Sequence, residues 1–147
     1  MHIVFAASEC APWAKTGGLA DVVSALPRTL VKLGHKVSVF IPYYRQVAKA
    51  VPRAAVVLSS VTIPYPSYNR FVRILDGGIT EGVQMYFVDC PEFFDRESFY
   101  STPSGDYPDN AERFGLLCRA VIEASKILGV PDVFHVHDWQ AAMLAVL

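Results

Sequence analysis

The stretch HIVFAASECAPWAKTGGLAD, residues 2–21, decides the fold of this chain. Residues 2–7 form a short apolar run that is typical of a buried strand, and the apolar spacing after Gly18 indicates a helix. The lysine and glycine run at 15–21 therefore falls at the start of a helix. The first N–H groups of a helix have no partner within it and carry the positive end of its dipole, so this position suits a diphosphate.

Four residues in this run are candidates for binding. Gly17 and Gly18 lack the Cβ that would keep a phosphate away from the backbone, and Lys15 adds a mobile positive charge. A glycine pair at such a junction is also common as a simple turn, with Lys15 solvated beside it. Asp21, one turn into the helix, either favours the dipole and caps nearby amides or binds sugar hydroxyls.

The chain that follows predicts a β-α-β unit. A helix over 19–33 ends at Gly34, and an apolar strand over 36–41 ends at Pro42. Pro27 lies within the helical stretch and removes a hydrogen-bond donor, so we expect a kink or a split there. Because 52% of the residues are hydrophobic and the aliphatic runs are separated by turn signals, we expect a parallel α/β sheet covered by helices on both faces.

The middle of the chain has a different pattern. Residues 56–63, 70–75 and 84–88 are β-rich, and Asp-Gly-Gly at 76–78 predicts a turn between the last two, so we expect an antiparallel β-hairpin insertion. Residues 89–108 contain Pro, Gly, Ser and aromatic residues without clear periodicity. A loop of this length is usually a lid or binding loop, or else poorly ordered.

Regular elements are predicted again near the end. Apolar residues at helical spacing predict a helix over 109–128 that stops at Gly129. A strand follows over 133–137, and 140–147 begins another helix.

Length and composition favour a single compact domain over the 147 residues. The formal net charge is −1 and no basic stripe occurs, which argues against nucleic acid or an anionic membrane as partner.

The three cysteines, Cys10, Cys90 and Cys118, are odd in number and lack C-x-x-C spacing, so we expect reduced thiols in a cytoplasmic protein and no zinc site. No leader or membrane-span pattern is found.

Two histidines mark the end of the last predicted strand. Ligands bind at the C-terminal ends of parallel strands, so we expect His137 and the 15–18 loop on the same rim of the sheet. His135 points the same way as His137 and is predicted to be a packed or supporting partner. The pair could bind a metal, but no third ligand with suitable spacing is evident. Asp138 is a candidate cap for the next helix, and Trp139 is expected to pack.

Two other nucleotide-binding classes fit the sequence poorly. A dinucleotide fingerprint needs G-x-G-x-x-G directly after the first strand and an acid near the end of the second, whereas here an extended loop precedes Gly17 and the second strand ends at Pro42. A triphosphate P-loop has its lysine after the last glycine, whereas Lys15 comes before both glycines.

Taken together, the motifs resemble those of bacterial glycogen synthases and plant starch synthases. Three motifs carry the resemblance: KTGGLAD at 15–21, Asp109-Asn110 followed by Arg113-Phe114, and HVHDWQ at 135–140. The likeness extends to SECAP at 8–12, VDCP at 88–91 and FFDR at 93–96. It implies a Rossmann-like parallel sheet flanked by helices, part of the N-terminal domain of a two-domain GT-B glycosyltransferase. The chain would then be a fragment without the C-terminal nucleotide-binding domain.

The resemblance also implies an activity. Such enzymes transfer glucose from ADP-glucose to the non-reducing-end 4-hydroxyl of an α-1,4-glucan with retention of configuration, and they need no cofactor or metal. Without an obvious carboxylate nucleophile, retention suggests a same-face displacement in which the leaving diphosphate helps to take the acceptor proton. The partners implied are ADP-glucose, the glucan and the missing C-terminal domain, and we expect the isolated fragment to be inactive.

Site residues follow from the same resemblance. Lys15 with the amides of Gly17 and Gly18 would hold the donor diphosphate, and His137 with Asp21 would contact the donor glucose. Asp109 and Asn110 resemble a pair near the substrates, although both also suit a helix N-terminus. Glu9 faces the predicted cleft, with either a contact to the acceptor or none.

Two alternatives remain open. The chain could be a non-catalytic glucan-binding module that uses Trp13, Tyr43, Tyr44 and the aromatic residues of 93–107 as sugar platforms. It could also belong to another retaining glycosyltransferase of the same design that uses UDP-glucose, because the choice of base is expected to lie with the absent domain.

Overall fold

The computed structural model describes residues 1–65 and 67–147. The strands are β1 His2–Ala6, β2 Lys36–Pro42, β3 Val56–Pro64, β4 Asn69–Thr80, β5 Val83–Asp89, β6 Ser101–Thr102, β7 Gly105–Asp106 and β8 Val133–Val136. The α-helices are α1 Gly18–Lys32, α2 Arg45–Ala50, α3 Pro91–Phe94, α4 Asn110–Leu128 and α5 Asp138–Ala142, and a 3-10 helix follows at Met143–Val146. In this described part no helix has both the length and the apolar character needed to cross a bilayer.

Six strands form one sheet in the order β3-β4-β5-β2-β1-β8. The pairs β5-β2, β2-β1 and β1-β8 are parallel, whereas β3-β4 and β4-β5 are antiparallel. The predicted α/β fold with a mostly parallel sheet is therefore confirmed. The antiparallel strands extend the edge of this sheet, so they continue the parallel layer and do not form a separate one.

Helices cover both faces of the sheet. Val83 and Met85 face the side of α1, whereas Gln84 and Tyr86 face the side of α4, because alternate residues of a strand point to opposite faces. Phe5 of β1 and Phe40 of β2 are buried. Burial from both sides explains why β1 and β2 are nearly continuous apolar runs.

The turn predicted at 76–78 is wrong. β4 continues through Gly77 and Gly78 to Thr80, and the chain turns at Glu81 and Gly82, whose φ angles are +49° and +81°. Two consecutive positive φ angles are typical of the type I′ turn that joins twisted antiparallel strands. The register shifts between Asp76 and Gly78, so the glycines accommodate a bulge within the strand instead of ending it.

Other local predictions also need correction. α1 is a single helix that passes through Pro27, so the predicted split is wrong, whereas the alternative of a kink stays a prediction. Pro27 is buried, and its packing offsets the lost backbone hydrogen bond. The helix predicted over 140–147 begins earlier, at Asp138, and becomes a 3-10 helix after Ala142. The helix predicted over 109–128 and its end at Gly129 are confirmed by α4.

The segment 89–108 is packed against the domain. It contains α3 and the short β6-β7 hairpin, and Phe94 and Phe99 within it are buried. The ring of Phe99 stacks on Tyr44 with centroids 4.2 Å apart. Cys10, Cys90 and Cys118 are free and buried, as expected for reduced thiols.

Gly77 provides a test of the bulged strand. A Cβ at this position would lie 2.7 Å from Met85 Cβ and 2.9 Å from Phe87 Cζ, so Gly77→Ala forces buried groups apart. We expect the variant to lose about 1–3 kcal/mol of unfolding free energy, measured by urea denaturation.

The matched control is Gly115→Ala within α4, where a Cβ would meet no neighbouring atom within 4 Å. Alanine is favoured over glycine in a helix by about 0.5–1 kcal/mol, so this variant should be as stable as the original protein or more so. Equal stability of the two alanine variants would contradict the placement of Gly77 against β5.

Candidate functional site

The candidate site lies where the chain connections diverge at the rim of the sheet. β1 lies between β2 and β8, with Ala6 opposite both Phe40 and Val136. The connection from β1 leads to β2 on one side, whereas the connection from β5 returns to β8 on the other side. Ligands of open α/β sheets bind in the crevice at such a switch point. The N–H of His137 donates to the Ala6 carbonyl at 3.1 Å, so the 7–17 loop and the turn after β8 leave the sheet side by side.

Gly17 and Gly18 form an open cradle at the start of α1. Gly17 is the N-cap, with φ −150° and ψ −159°, and neither glycine has a positive φ. A Cβ built on either residue would have no protein atom within 4 Å. Neither the backbone conformation nor the packing within the chain therefore requires glycine at positions 17 and 18. This argues against the interpretation of the pair as a simple turn.

Lys15 and Asp21 form an ion pair across this cradle. Lys15 Nζ donates to the two carboxylate oxygens of Asp21 at 2.7 and 2.8 Å, and both side chains are exposed. Asp21 therefore positions the lysine near the helix start and makes no cap on the backbone amides. An exposed pair of this kind contributes only about 0.2–1 kcal/mol, so a ligand can replace it at little cost.

Glu9 is the residue for which the sequence left the role open. Its side chain is buried, and its carboxylate accepts hydrogen bonds from the Thr16 N–H, the Thr16 hydroxyl and the Tyr100 hydroxyl, each at 2.6 Å. Burial alone would raise the pKa of Glu9, but the hydrogen bonds from Thr16, Tyr100 and Gly17 outweigh it and lower the pKa below its usual range. Glu9 is thus an anion that fixes the turn immediately before the glycines.

Tyr100 connects three loops around the site. Its hydroxyl is also 2.8 Å from Ser8 Oγ, and its ring centroid is 6.3 Å from that of Trp139. Burial and the neighbouring Glu9 raise the pKa of Tyr100, so its hydroxyl stays protonated and donates to the carboxylate. The sequence placed Tyr100 in an aromatic loop but gave no signal that it bonds to Glu9, because this contact spans 91 positions.

His137 is half-buried in an aromatic stack. Its ring centroid is 4.6 Å from that of His135 and 5.4 Å from that of Phe5, and His135 in turn stacks on Phe5 at 4.6 Å. The two histidines point the same way, as predicted. Burial, and then His135, lower the pKa of His137, so its ring is neutral near pH 7. In the part of the chain that the structure describes, His137 Nε2 has no hydrogen-bond partner.

The turn after His137 has an unusual backbone. Asp138 has a φ of +61°, which is uncommon outside glycine and costs about 1–3 kcal/mol unless its surroundings enforce it. The N-cap of α5 is His137, and no side chain caps the helix, so the expected capping role of Asp138 is not observed. Trp139 packs edge-on against Phe114 at 5.2 Å but keeps 54% of its surface exposed.

Asp109 and Asn110 hold the segment that carries Tyr100. Asp109 pairs with Arg96 at 2.8 Å, and this guanidinium lowers the pKa of the Asp109 carboxyl. Asn110 Nδ2 donates to the Tyr100 carbonyl at 2.9 Å, and its Oδ1 accepts from the buried Arg113 at 2.7 Å. Asp109 occupies the N-cap position of α4 without a side-chain cap. The predicted contacts of Asp109 and Asn110 with substrate stay predictions.

The donor set does not suit a metal ion. His135 and His137 have stacked rings, and within residues 1–65 and 67–147 no group of three His, Cys, Asp or Glu side chains is arranged to hold a cation. The site instead combines the N–H groups at the start of α1, one lysine and a neutral imidazole. Such groups can bind an anion and orient hydroxyls beside it.

The chain is similar to known enzymes over its whole length. The family model described as starch synthase catalytic domain matches residues 2–147. The glycogen synthase of Koribacter versatilis (strain Ellin345) is 62% identical over 147 residues, which cover 100% of this chain and 30% of that protein. Glycogen synthase 2 of Geobacter sulfurreducens is 41% identical over 150 residues and is covered to the same extent, 30%.

A solved structure has the same fold. The catalytic domain of starch synthase IV from Arabidopsis thaliana, bound to ADP and acarbose, superposes with a TM-score of 0.80 at 31% identity. The match covers 98% of this chain and 29% of that one. The chain thus spans about 30% of the length of the curated relatives it matches.

The buried carboxylate can be tested with Tyr100→Phe. Removing one donor should raise the pKa of Glu9 toward its usual value and lower the unfolding free energy by about 1 kcal/mol near neutral pH. Because the folded pKa of Glu9 is lowered, its stabilisation is present above the unfolded pKa of about 4.3 and is lost as the pH falls through the folded value. The difference between the proteins should therefore shrink in acid. Carboxyl NMR titration and urea unfolding measure both effects.

Tyr68→Phe is the matched control, because it removes a tyrosine hydroxyl that donates at 3.2 Å to Glu112 at an exposed site. This control should leave the pKa of Glu9 unchanged. An unaltered Glu9 titration in Tyr100→Phe would show that Tyr100 does not hold the carboxylate.

Proposed function

This chain belongs to the starch synthase catalytic domain family, and we propose that it is the N-terminal, acceptor-side part of a glycogen or starch synthase. The complete enzyme would transfer glucose from ADP-glucose to the non-reducing-end 4-hydroxyl of an α-1,4-glucan, with retention of configuration. This region would form one side of the cleft in the cytoplasm, and the C-terminal domain would form the other side.

The open glycine cradle carries the proposal. Gly17 and Gly18 leave the surface at the start of α1 free of any Cβ, although the chain itself does not need glycine there. The first N–H groups of α1, beyond the Gly17 N–H that donates to Glu9 at 3.4 Å, attract an anion, and a diphosphate can approach them closely. The Arabidopsis starch synthase IV domain, which has this fold, is bound to ADP and acarbose, which agrees with a nucleotide and sugar site.

Each site residue has a role that fits its contacts. Lys15 would move from Asp21 to the donor diphosphate, which its weak exposed ion pair permits. The freed Asp21 carboxylate would then accept hydrogen bonds from sugar hydroxyls. His137, neutral and with an unpartnered Nε2 among the described residues, would hydrogen-bond to the donor glucose.

Asp109 and Asn110 would act at the edge of the site. Asp109 is paired with Arg96, and Asn110 bonds to the Tyr100 carbonyl, so both fix the segment that faces Glu9. We propose that they keep this wall of the cleft in place near the substrates. Stabilisation of the leaving diphosphate would come from Lys15 and the helix start on this side.

The charge balance supports a second domain as partner. Asp21 offsets Lys15, and Glu9 adds a negative charge beside the cradle. A donor diphosphate therefore needs further positive groups that this region does not bring to the cradle, and we propose that the C-terminal domain supplies them. For the same reason the isolated chain should have no significant glucose-transfer activity.

The alternative of a glucan-binding module has less support. Of the aromatic residues considered as sugar platforms, Tyr44 is 1% exposed and Phe93 is 3% exposed, so their rings cannot receive a sugar. The choice between ADP-glucose and UDP-glucose depends on contacts with the base, and ADP-glucose is proposed because the related Arabidopsis domain binds ADP.

The cradle is tested by Gly17→Ala and Gly18→Ala in the 147-residue chain. ADP-glucose should shift the amide NMR signals of Thr16, Gly17 and Gly18 in the original protein. Each alanine variant should bind the donor at least about tenfold more weakly, since a methyl group blocks the diphosphate. Folding should be unaffected, because the added methyl meets no protein atom.

Gly115→Ala serves as the control for a glycine-to-alanine change in open space and should bind like the original protein. Full donor affinity in both cradle variants would refute the diphosphate site. Rapid glucose transfer to maltooligosaccharide by the isolated chain would instead refute the need for a second domain.

A further inference from the structure

A second cavity lies at the other end of the sheet, away from the cradle. It has a volume of about 220 Å³, is partly open to solvent, and lies between the start of the parallel strands and the end of α4. The polar residues of its lining are His2, Lys36, Ser38, Gln84, Tyr86 and Ser125. We call this space the lower cavity. It holds far more than one water molecule, for which about 10–15 Å³ is enough.

The hydroxyl group of Ser125 lines the lower cavity and can hydrogen-bond to a molecule within it. The residue is 3% exposed, and its Oγ has no hydrogen-bond partner within residues 1–65 and 67–147. Buried hydroxyl groups nearly always have a partner in the protein, in ordered water or in a ligand, so an orphaned one that lines a cavity marks a place where a water molecule or a ligand hydroxyl can bind. Across the cavity Ser38, which is 4% exposed, has its Oγ 3.3 Å from His2 Nε2.

The electrostatics of the lining favour a neutral guest. Burial, and then Lys36, lower the pKa of His2, so the imidazole is uncharged near pH 7. Ser125 and Leu128 of the last turn of α4 line the cavity, so the negative end of the helix dipole lies beside it and disfavours an anion. Lys36, at the rim, disfavours a cation. The lining as a whole therefore favours neither an anion nor a cation.

The lining matches a molecule that carries several hydroxyl groups. The hydroxyl groups of Ser38, Tyr86 and Ser125 can each donate and accept a hydrogen bond. Val4 and Phe40 add apolar surface for the carbon-bound hydrogens of a ring. We propose that the lower cavity binds one neutral polyhydroxylated molecule of monosaccharide size. This site is separate from the cradle and does not depend on the function proposed for it.

The test is an amide NMR titration of the 147-residue chain with D-glucose and with myo-inositol. At least one of these neutral probes should give saturable shifts at Ser38, Tyr86 and Ser125, with a dissociation constant of about 1 mM, as expected for so few atoms. The amides of Gly17 and Gly18 should not follow the same curve. Inorganic phosphate should give no saturable shifts in the lower cavity.

Variants separate binding from folding. Ser125→Ala should weaken binding about fivefold, the value of one neutral hydrogen bond, without lowering stability, since the hydroxyl has no protein partner to lose. Ser125→Met should fill the cavity and abolish binding. Ser24→Ala is the control, because it removes a helix serine hydroxyl on the α1 side of the sheet and should leave the affinity unchanged.

Three results would overturn the proposal. They are saturation by inorganic phosphate instead of the neutral probes, an absence of saturable shifts with both glucose and myo-inositol, and unchanged affinity in Ser125→Met with its fold confirmed by the NMR spectrum.

Discussion

The central position of β1 between two parallel neighbours is the constraint on which the site depends. Because β1 pairs with β2 on one side and with β8 on the other, the segments that follow β1 and β8 leave the sheet at one rim. The crevice between them needs no special loop, since it follows from connections that run in opposite directions. This pairing places His137 beside the end of β1, from which the loop to the glycine cradle starts, although the two are distant in the sequence.

The buried carboxylate of Glu9 fixes two of the segments that line this crevice. Glu9 binds the turn before the cradle through Thr16, and it binds the 89–108 segment through Tyr100. That segment is fixed from behind by Arg113, which donates to the Phe93 and Phe99 carbonyls from a fully buried position. The hydrogen bonds form a continuous path from α4 to the start of α1, so the geometry of the cradle depends on groups that never face the cleft.

The sequence predicted the elements whose pattern is local. The apolar runs of β1 and β2 and the helical spacing of α4 reflect burial, which the order of residues records directly. The turn at Glu81-Gly82 was missed because Asp-Gly-Gly at 76–78 is the stronger turn signal, and the strand uses those glycines for a bulge. The short helix α2 has too few residues for a periodic pattern.

At the candidate site, prediction from sequence ended where contacts became long-range. The sequence predicted the cradle, Lys15 and His137, because motif and position at a strand end are local properties. The sequence did not predict the contacts of Lys15 with Asp21 or of Glu9 with Tyr100, because the partner of a charged group or a hydroxyl leaves no local sequence pattern. It also treated Tyr44 as a surface platform, whereas stacking on Phe99 buries this ring.

The two carboxylates at the cradle determine how an anion can bind there. Glu9 holds the Thr16 turn from inside, and its buried hydrogen bonds make it a permanent part of the site. Asp21 faces solvent and holds only Lys15, so its ion pair can open. An incoming diphosphate would therefore compete with Asp21 for Lys15, and with Glu9 only at the Gly17 N–H, which lies 3.4 Å from Glu9 Oε2. In the proposed site, the exchange of Lys15 from its own carboxylate to the ligand would leave Asp21 free beside the sugar, so donor binding would itself prepare this second contact.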